Sequence, residues 1–325
     1  MNYDELYNDD EAEIPFYYDN DCRPQEHKVS VNMEHFESPK RLYEYLDSQV
    51  YSHAAYKKAL SLFMWKHLHG HTSGALLIAG NSGSGKTEMI RTLSRIYYNI
   101  HIADGASIVP TGYKGDSSLT AQISSLDFSS KNNPPVLVID EADKLFHKGT
   151  TSWADTGLIS ELLKFIEGGS YNIGTTVKPR YIDTTGLAVI LLGSFSSLTD
   201  CKPSHSIGFN ADIISGFSSH IMLNKKQIMA QLPTELQGRI SQVVILDNFS
   251  EDDYYNILTD KRYSPVVRLS REYGLNLSIS DEKYHEIAHE AFVSHTGVRQ
   301  MNNIVSAYLD EQLFSDPNIK EITIA

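Results

Sequence analysis

Cysteine is nearly missing from this chain. Cys22 and Cys201 are the two in 325 residues, far apart and in no C-x-x-C pair. That argues against a disulfide framework or a cysteine-rich zinc module and points to a reducing compartment. Also missing is any apolar run near the ~20 residues needed to span a bilayer. The acidic, polar start from Met1 to Asp10 does not read as a signal peptide. The expectation is a soluble, cytoplasmic protein with no membrane partner. Basic excess is missing too: the net charge is −13, and residues 1–26 hold nine acids against one base, Arg23. Surfaces that bind nucleic acid usually carry surplus Lys and Arg, so nucleic acid is disfavoured as a partner, with a local basic stripe left open.

What is present is an alternation of apolar runs and amphipathic stretches. From Ser38, Leu42, Tyr45 and Leu46 recur at helical spacing, followed by Tyr56, Ala59, Leu60, Phe63 and Met64. Buried-strand candidates run from Ala75 to Ala79, Val136 to Ile139, Leu187 to Leu192 and Val243 to Leu246. Continuous apolar strands alternating with helices imply an α/β fold, a parallel sheet flanked by helices. After Asn248 the character changes. Ser250 to Asp253 resembles a capping box; helices near 280–294 and 297–314 follow, with β-like pieces at 275–279 and 320–324. We read 1–35 as an acidic arm, either flexible or a docking segment, 36–248 as a large nucleotide-binding domain, and 249–325 as a small, mainly helical lid domain.

Gly80, Asn81, Ser82, Gly83, Ser84, Gly85, Lys86 and Thr87 match G-x-x-x-x-G-K-[ST] between a buried strand and a helix, the context of a P-loop. Glycines let backbone N–H groups turn inward around anionic phosphate. The helix beginning near Lys86 aims its positive end at the same spot. Lys86 is expected on the β- and γ-phosphates and Thr87 on Mg²⁺, with Glu88 the last residue of the nucleotide-contacting set. Val136 to Glu141 forms the matching half: an apolar strand delivers Asp140 to the Mg²⁺ and Glu141 to a water facing the γ-phosphate. The cofactors implied are ATP and Mg²⁺. Asp140 to Asp143 also spells DEAD. An RNA helicase needs two RecA-like domains, whereas only 182 residues follow Asp143 and they hold no second such set of strands.

These residues, taken in order, resemble the ClpX-type AAA+ protein unfoldases from about Leu46 to Pro317. Leu46, Asp47, Val50, Lys57 and Lys58 look like that family's adenine-pocket segment, which makes Val50 and Tyr51 adenine-contact candidates. Leu162 to Gly168 looks like its helix after the Asp140 strand. Pro233, Glu235, Leu236, Gln237, Gly238 and Arg239 look like its arginine-finger motif, and Thr296, Gly297, Val298 and Arg299 like its sensor-2 motif. The resemblance implies that Arg239 reaches a neighbouring subunit's ATP and Arg299 the ATP of its own chain. The plainer alternatives are a surface-pairing arginine and a helix-start arginine. Sensor 1 is expected at Ser194, with Ser196 competing. Gly112, Tyr113, Lys114 and Gly115 resemble the first pore loop that grips protein substrates, with Lys114 where the family usually has an apolar residue. Thr150 to Asp155 stands where the second loop would be, and its Trp153 could equally be packing. Ile207, Gly208 and Phe209 resemble the tripeptide that docks to a ClpP-type peptidase.

The resemblance further implies a homohexameric ring acting as an ATP-dependent protein unfoldase or translocase. A protease-independent remodelling chaperone and a nucleic-acid motor or loader of the same class are the alternatives. The family's N-terminal four-cysteine zinc domain has no counterpart here; the acidic arm stands in its place. His67, His69 and His71 alternate as metal ligands can, but no acid or cysteine supports them locally, so a helix-end or loop role is expected.

Overall fold

The computed structural model describes residues 33–71, 74–109, 118–146, 153–173, 179–198, 223–294 and 297–324, with the side chains of 153–156 and 197 outside that description. All of these residues lie in one compact unit, residues 31–325. The first described element is a 3-10 turn, Met33–Phe36, whose Phe36 is buried against Tyr97 at 5.5 Å between ring centroids. Residues 1–32, most of the expected arm, lie outside the described residues.

The elements that follow are α1 (Pro39–Gln49), α2 (Ala54–Leu68), β1 (Ala75–Ala79), α3 (Lys86–Ser94), β2 (Ile100–Asp104), α4 (Leu119–Ile123), β3 (Val136–Asp140), α5 (Asp143–Phe146), α6 (Trp153–Glu167), β4 (Ser170–Asn172), β5 (Tyr181–Asp183) and β6 (Ala188–Gly193). Then come α7 (Lys225–Gln231), α8 (Thr234–Gln237), β7 (Ile240–Ile245), α9 (Glu251–Thr259), α10 (Pro265–Tyr273), β8 (Asn276–Ile279), α11 (Asp281–Val293), α12 (Val298–Ser315) and β9 (Glu321–Ile324). Local chemistry fixes several ends. Ser38 Oγ accepts from Arg41 N at 3.3 Å and Pro39 opens α1. Ser250 and Asp253 form the reciprocal capping box that begins α9.

Five strands form one parallel sheet in the order β2-β3-β6-β1-β7. Alternate side chains of a strand point to opposite faces, and both faces are covered. Leu76, Ile78, Val136, Val138, Ile190 and Leu192 pack with α1, α2 and α3. Leu77, Ala79, Leu137, Ile139, Val189 and Leu191 pack with Leu158, Leu162 and Phe165 of α6 and with Leu236 of α8. A third buried cluster draws on residues from Phe249 onward, including Leu258, Leu269, Ile287, Met301, Val305 and Ile324. Inside it β8 and β9 pair in parallel.

Every strand read from the sequence is present. Among the elements not read from the sequence are an edge strand, a hairpin and a helix. Edge strand β2 carries His101 and is mostly half-buried, so it lacks a continuous apolar run. The β4–β5 hairpin has only three residues per strand. The apolar stripe of α10 is short, Val266 and Leu269 being its buried apolar pair after Pro265.

The junction of β2 with β3 matters for what sits at the sheet's edge. Gly105 N donates to Asp140 O at 2.7 Å, and a Cβ on Gly105 would lie 2.8 Å from Glu141 O and 2.9 Å from Asp140 O. Only hydrogen fits between those carbonyls. Gly105→Ala should therefore cost about 1–3 kcal/mol through overpacking, read as a lowered denaturant midpoint with an unchanged m-value.

Candidate active site

In a parallel sheet all strands end on the same edge, and the candidate residues gather there. β1 delivers Gly80, whose N donates to Gly193 O at 3.1 Å, so the loop after β1 is tied to the end of β6. The chain then turns through Gly83 at φ 77° and Gly85 at φ 84°, the left-handed region that glycine enters at little cost, before α3 begins at Lys86. Lys86 is buried, and its Nζ donates to Gly80 O at 2.5 Å and Asn81 O at 2.8 Å. The ammonium thus lies folded onto its own loop. Burial pulls its pKa down to about 8, against the opposing pull of Asp140 and Asp143; Arg299 lowers it further.

Thr87, one residue on, donates its hydroxyl to Asp140 Oδ2 at 2.6 Å. The other carboxylate oxygen of Asp140 accepts from Glu141 N at 2.9 Å. Glu141 itself is exposed with φ 51°, a backbone conformation rare for a side-chain-bearing residue. Ser84 Oγ is buried with no hydrogen-bond partner among the described residues. An orphaned hydroxyl, left-handed glycines and a confined ammonium suit an oxyanion ligand. Thr87 and Asp140 supply the hard oxygens that Mg²⁺ prefers.

Ser194 follows β6 as expected; its N and Oγ each donate to Asp143, at 3.1 Å and 3.1 Å. Ser196 instead opens a 3-10 turn, Ser196–Leu198. The Glu88 side chain points away from the loop, bonded to Arg95 at 3.2 Å. Arg239 is not brought to this chain's own loop. It is half-exposed and paired with Glu167, Nε to Oε1 at 2.7 Å and Nη2 to the same oxygen at 2.5 Å.

The segment before α2 joins the loop to the third cluster. Val50 is buried and closes α1. Tyr51 donates its hydroxyl to Asp253 Oδ1 at 3.0 Å, and its ring lies 6.2 Å from Phe249 and 5.7 Å from Tyr263. His53 went unnoticed in the sequence, where it is a lone histidine before a helix. Its Nε2 lies 2.7 Å from Ser84 O, and a carbonyl can only accept, so Nε2 carries the proton. Its ring packs on Phe249 at 4.9 Å, and burial lowers its pKa.

From the other side, Gly297 presses directly on the loop. A Cβ there would lie 2.7 Å from Gly83 O, and its φ is 71°. Arg299, exposed in the first turn of α12, is near enough to lower the pKa of Lys86.

Two histidines of the run bond to backbone carbonyls. His67 Nε2 lies 3.3 Å from Pro134 O and His69 Nδ1 lies 2.8 Å from Trp65 O. Among the described residues no cluster of three metal-ligating side chains exists, and no helix is long and apolar enough to cross a membrane. Gly112 to Gly115, Thr150 to Ser152, Thr296 and Ile207 to Phe209 lie outside the described residues, as does the Trp153 side chain.

Comparison with known proteins agrees with this geometry. The pattern of the AAA family, the ATPase family associated with various cellular activities, matches residues 76–193, from β1 to the end of β6. A Wolinella succinogenes protein, ATP-dependent Clp protease ATP-binding subunit ClpX 2, is 26% identical over 320 residues, covering 89% of this chain and 80% of its own. The ClpX subunit of Treponema denticola is 26% identical, covering 87% of this chain and 78% of its own. That of Azotobacter vinelandii is 27% identical over 75% of this chain and 62% of its own.

Residues 76–193 match the AAA ATPase family, and most of the chain is similar to ClpX subunits. As in AAA ATPases, the chain binds nucleotide, and the loop from Gly80 to Thr87 lies within the matched span. A cationic Lys86 favours a triphosphate, and it loses its proton as pH rises through about 8. Nucleotide affinity should therefore fall above pH 8, by at most ~tenfold per pH unit. Titration of a fluorescent ATP analogue from pH 7 to 9.5 reads this, and Lys86→Met should flatten the profile.

Proposed function

We propose that this chain is the repeating subunit of a homohexameric ring that uses ATP to unfold or translocate proteins. The observation that carries the reading is the seat of Gly297 on Gly83. It puts the nucleotide loop in backbone contact with the helix that begins the last part of the chain. A change at the phosphates then moves residues 249–325 against residues 36–248, taken as lid and large domain.

The proposed roles join the geometry of the described residues to the resemblance of the sequence. Lys86, the loop amides from Asn81 to Glu88 and Ser84 Oγ bind the phosphates; Val50 and Tyr51 flank the base. Mg²⁺, held by Thr87 and Asp140, would offset phosphate charge. Glu141 takes a proton from the attacking water as the bond between the β-bridging oxygen and the γ-phosphorus breaks, releasing ADP and phosphate. Ser194 polarises the γ-phosphate side, and Arg299 reads the nucleotide from the lid. Arg239 leaves Glu167 to serve the neighbouring subunit's site, a head-to-tail arrangement that closes into a ring. Tyr113, between Gly112 and Gly115 and beside Lys114, grips the polypeptide. Ile207, Gly208 and Phe209 dock to a ClpP-type peptidase, a partnership supported by the relatives' description as Clp protease subunits. The expected setting is cytoplasmic.

Two measurements test this. Glu141→Gln should bind ATP, lower turnover by ~10²-fold or more and hold assembled rings together by size-exclusion chromatography; full turnover would defeat the hydrolytic assignment. Tyr113→Ala should keep ATPase activity yet stop unfolding of a tagged fluorescent substrate. Unchanged unfolding would remove the gripping role.

A further inference from the structure

We infer that Asp143 is a positioning residue for hydrolysis, its buried carboxylate latching the turn that carries Glu141 to the turn that carries Ser194. Asp143 begins α5, two residues beyond Glu141, and is 3% exposed. One oxygen, Oδ1, accepts from Ser194 N at 3.1 Å. The other, Oδ2, accepts from Ser194 Oγ at 3.1 Å and Phe195 N at 3.2 Å. A main-chain bond, Ala142 N to Leu192 O at 2.7 Å, runs alongside. The strand that separates β3 from β1 is β6, so this latch crosses from one half of the nucleotide site toward the other.

Three further observations fit a latch rather than an ordinary satisfied aspartate. Both turns hold side-chain-bearing residues in the left-handed region, Glu141 at φ 51° and Phe195 at φ 50°. Such conformations persist where surrounding bonds over-determine them, and they concentrate at functional sites. Gly193 leaves room for the crossing: a Cβ there would lie 3.1 Å from Asp143 Oδ1 and 2.6 Å from the Phe195 ring. Finally, the charge of Asp143 raises the Lys86 pKa, so the carboxylate is within electrostatic reach of the phosphate lysine. Asp143 acts through its bonds to Ser194 and Phe195. It fixes where Ser194 and Glu141 stand.

This inference rests on the reading of Glu141 and Ser194 as hydrolytic residues, and the experiment separates the two. In the full chain, Asp143→Asn keeps the shape but turns one acceptor oxygen into an NH₂ donor, leaving a bond from Ser194 or Phe195 unmade. ATP affinity should stay within ~threefold of the parent while kcat falls ~10- to 100-fold, the scale of a small misplacement of reacting groups. Ser194→Ala added to Asp143→Asn should lower kcat by less than it does alone, because the two act through one contact. Circular dichroism and the stoichiometry of nucleotide binding report the folded fraction. The latch is overturned if folded Asp143→Asn keeps kcat within ~twofold while Glu141→Gln is inactive. It is also overturned if kcat drops only in proportion to the folded fraction, or if the two substitutions act additively. Full turnover by Glu141→Gln would instead bring down the underlying reading of the site.

Discussion

A single hydroxyl donated from Thr87 to Asp140 at 2.6 Å joins groups 53 residues apart in sequence. It exists because parallel strands finish on a common edge. β1 ends in the phosphate loop, β3 ends in Asp140, and β6 lies between them and ends at Gly193, just before Ser194. Take away the parallel register and no local sequence feature would bring these three together. The two hydrophobic layers hold the strands in that register, and a one-residue slip would turn every core side chain to the wrong face. Packing and chemistry are therefore one constraint here.

The loop is also held from its other flank. His53 donates to Ser84 O and lies on Phe249, while Tyr51 bonds Asp253, whose carboxylate completes the capping box of α9. Tyr263 donates to Asp47 O at 2.7 Å. These contacts run between the segment before α2 and the chain beyond residue 248. They involve side chains with hydrogen-bonding tips and apolar bodies, the kind that shift without leaving a void.

Much of this was legible in the sequence. The glycine spacing announced the loop because only that composition turns its amides inward, and the apolar runs announced central strands because both faces are buried. The Ser250–Asp253 box was readable from four residues, since capping is local. What escaped notice was relational. Nothing in a row of letters says that His53 meets Ser84, 31 positions away, or that Gly105 must clear two carbonyls. Edge strand β2 escaped because an edge needs no continuous apolar run. The Glu167 partner of Arg239 was equally invisible, being 72 residues distant.

The contact between Gly83 and Gly297 has one more implication. Two main chains touch there without a side chain between them, so no rotamer change can cushion a displacement. Any force applied to α12 is delivered to the phosphate loop, and the reverse holds equally. Thermodynamic reciprocity then requires that whatever loosens the grip on nucleotide also lowers the cost of moving the helix. Resistance met by one part of the molecule becomes, through two glycines, a change in how tightly another part holds its fuel.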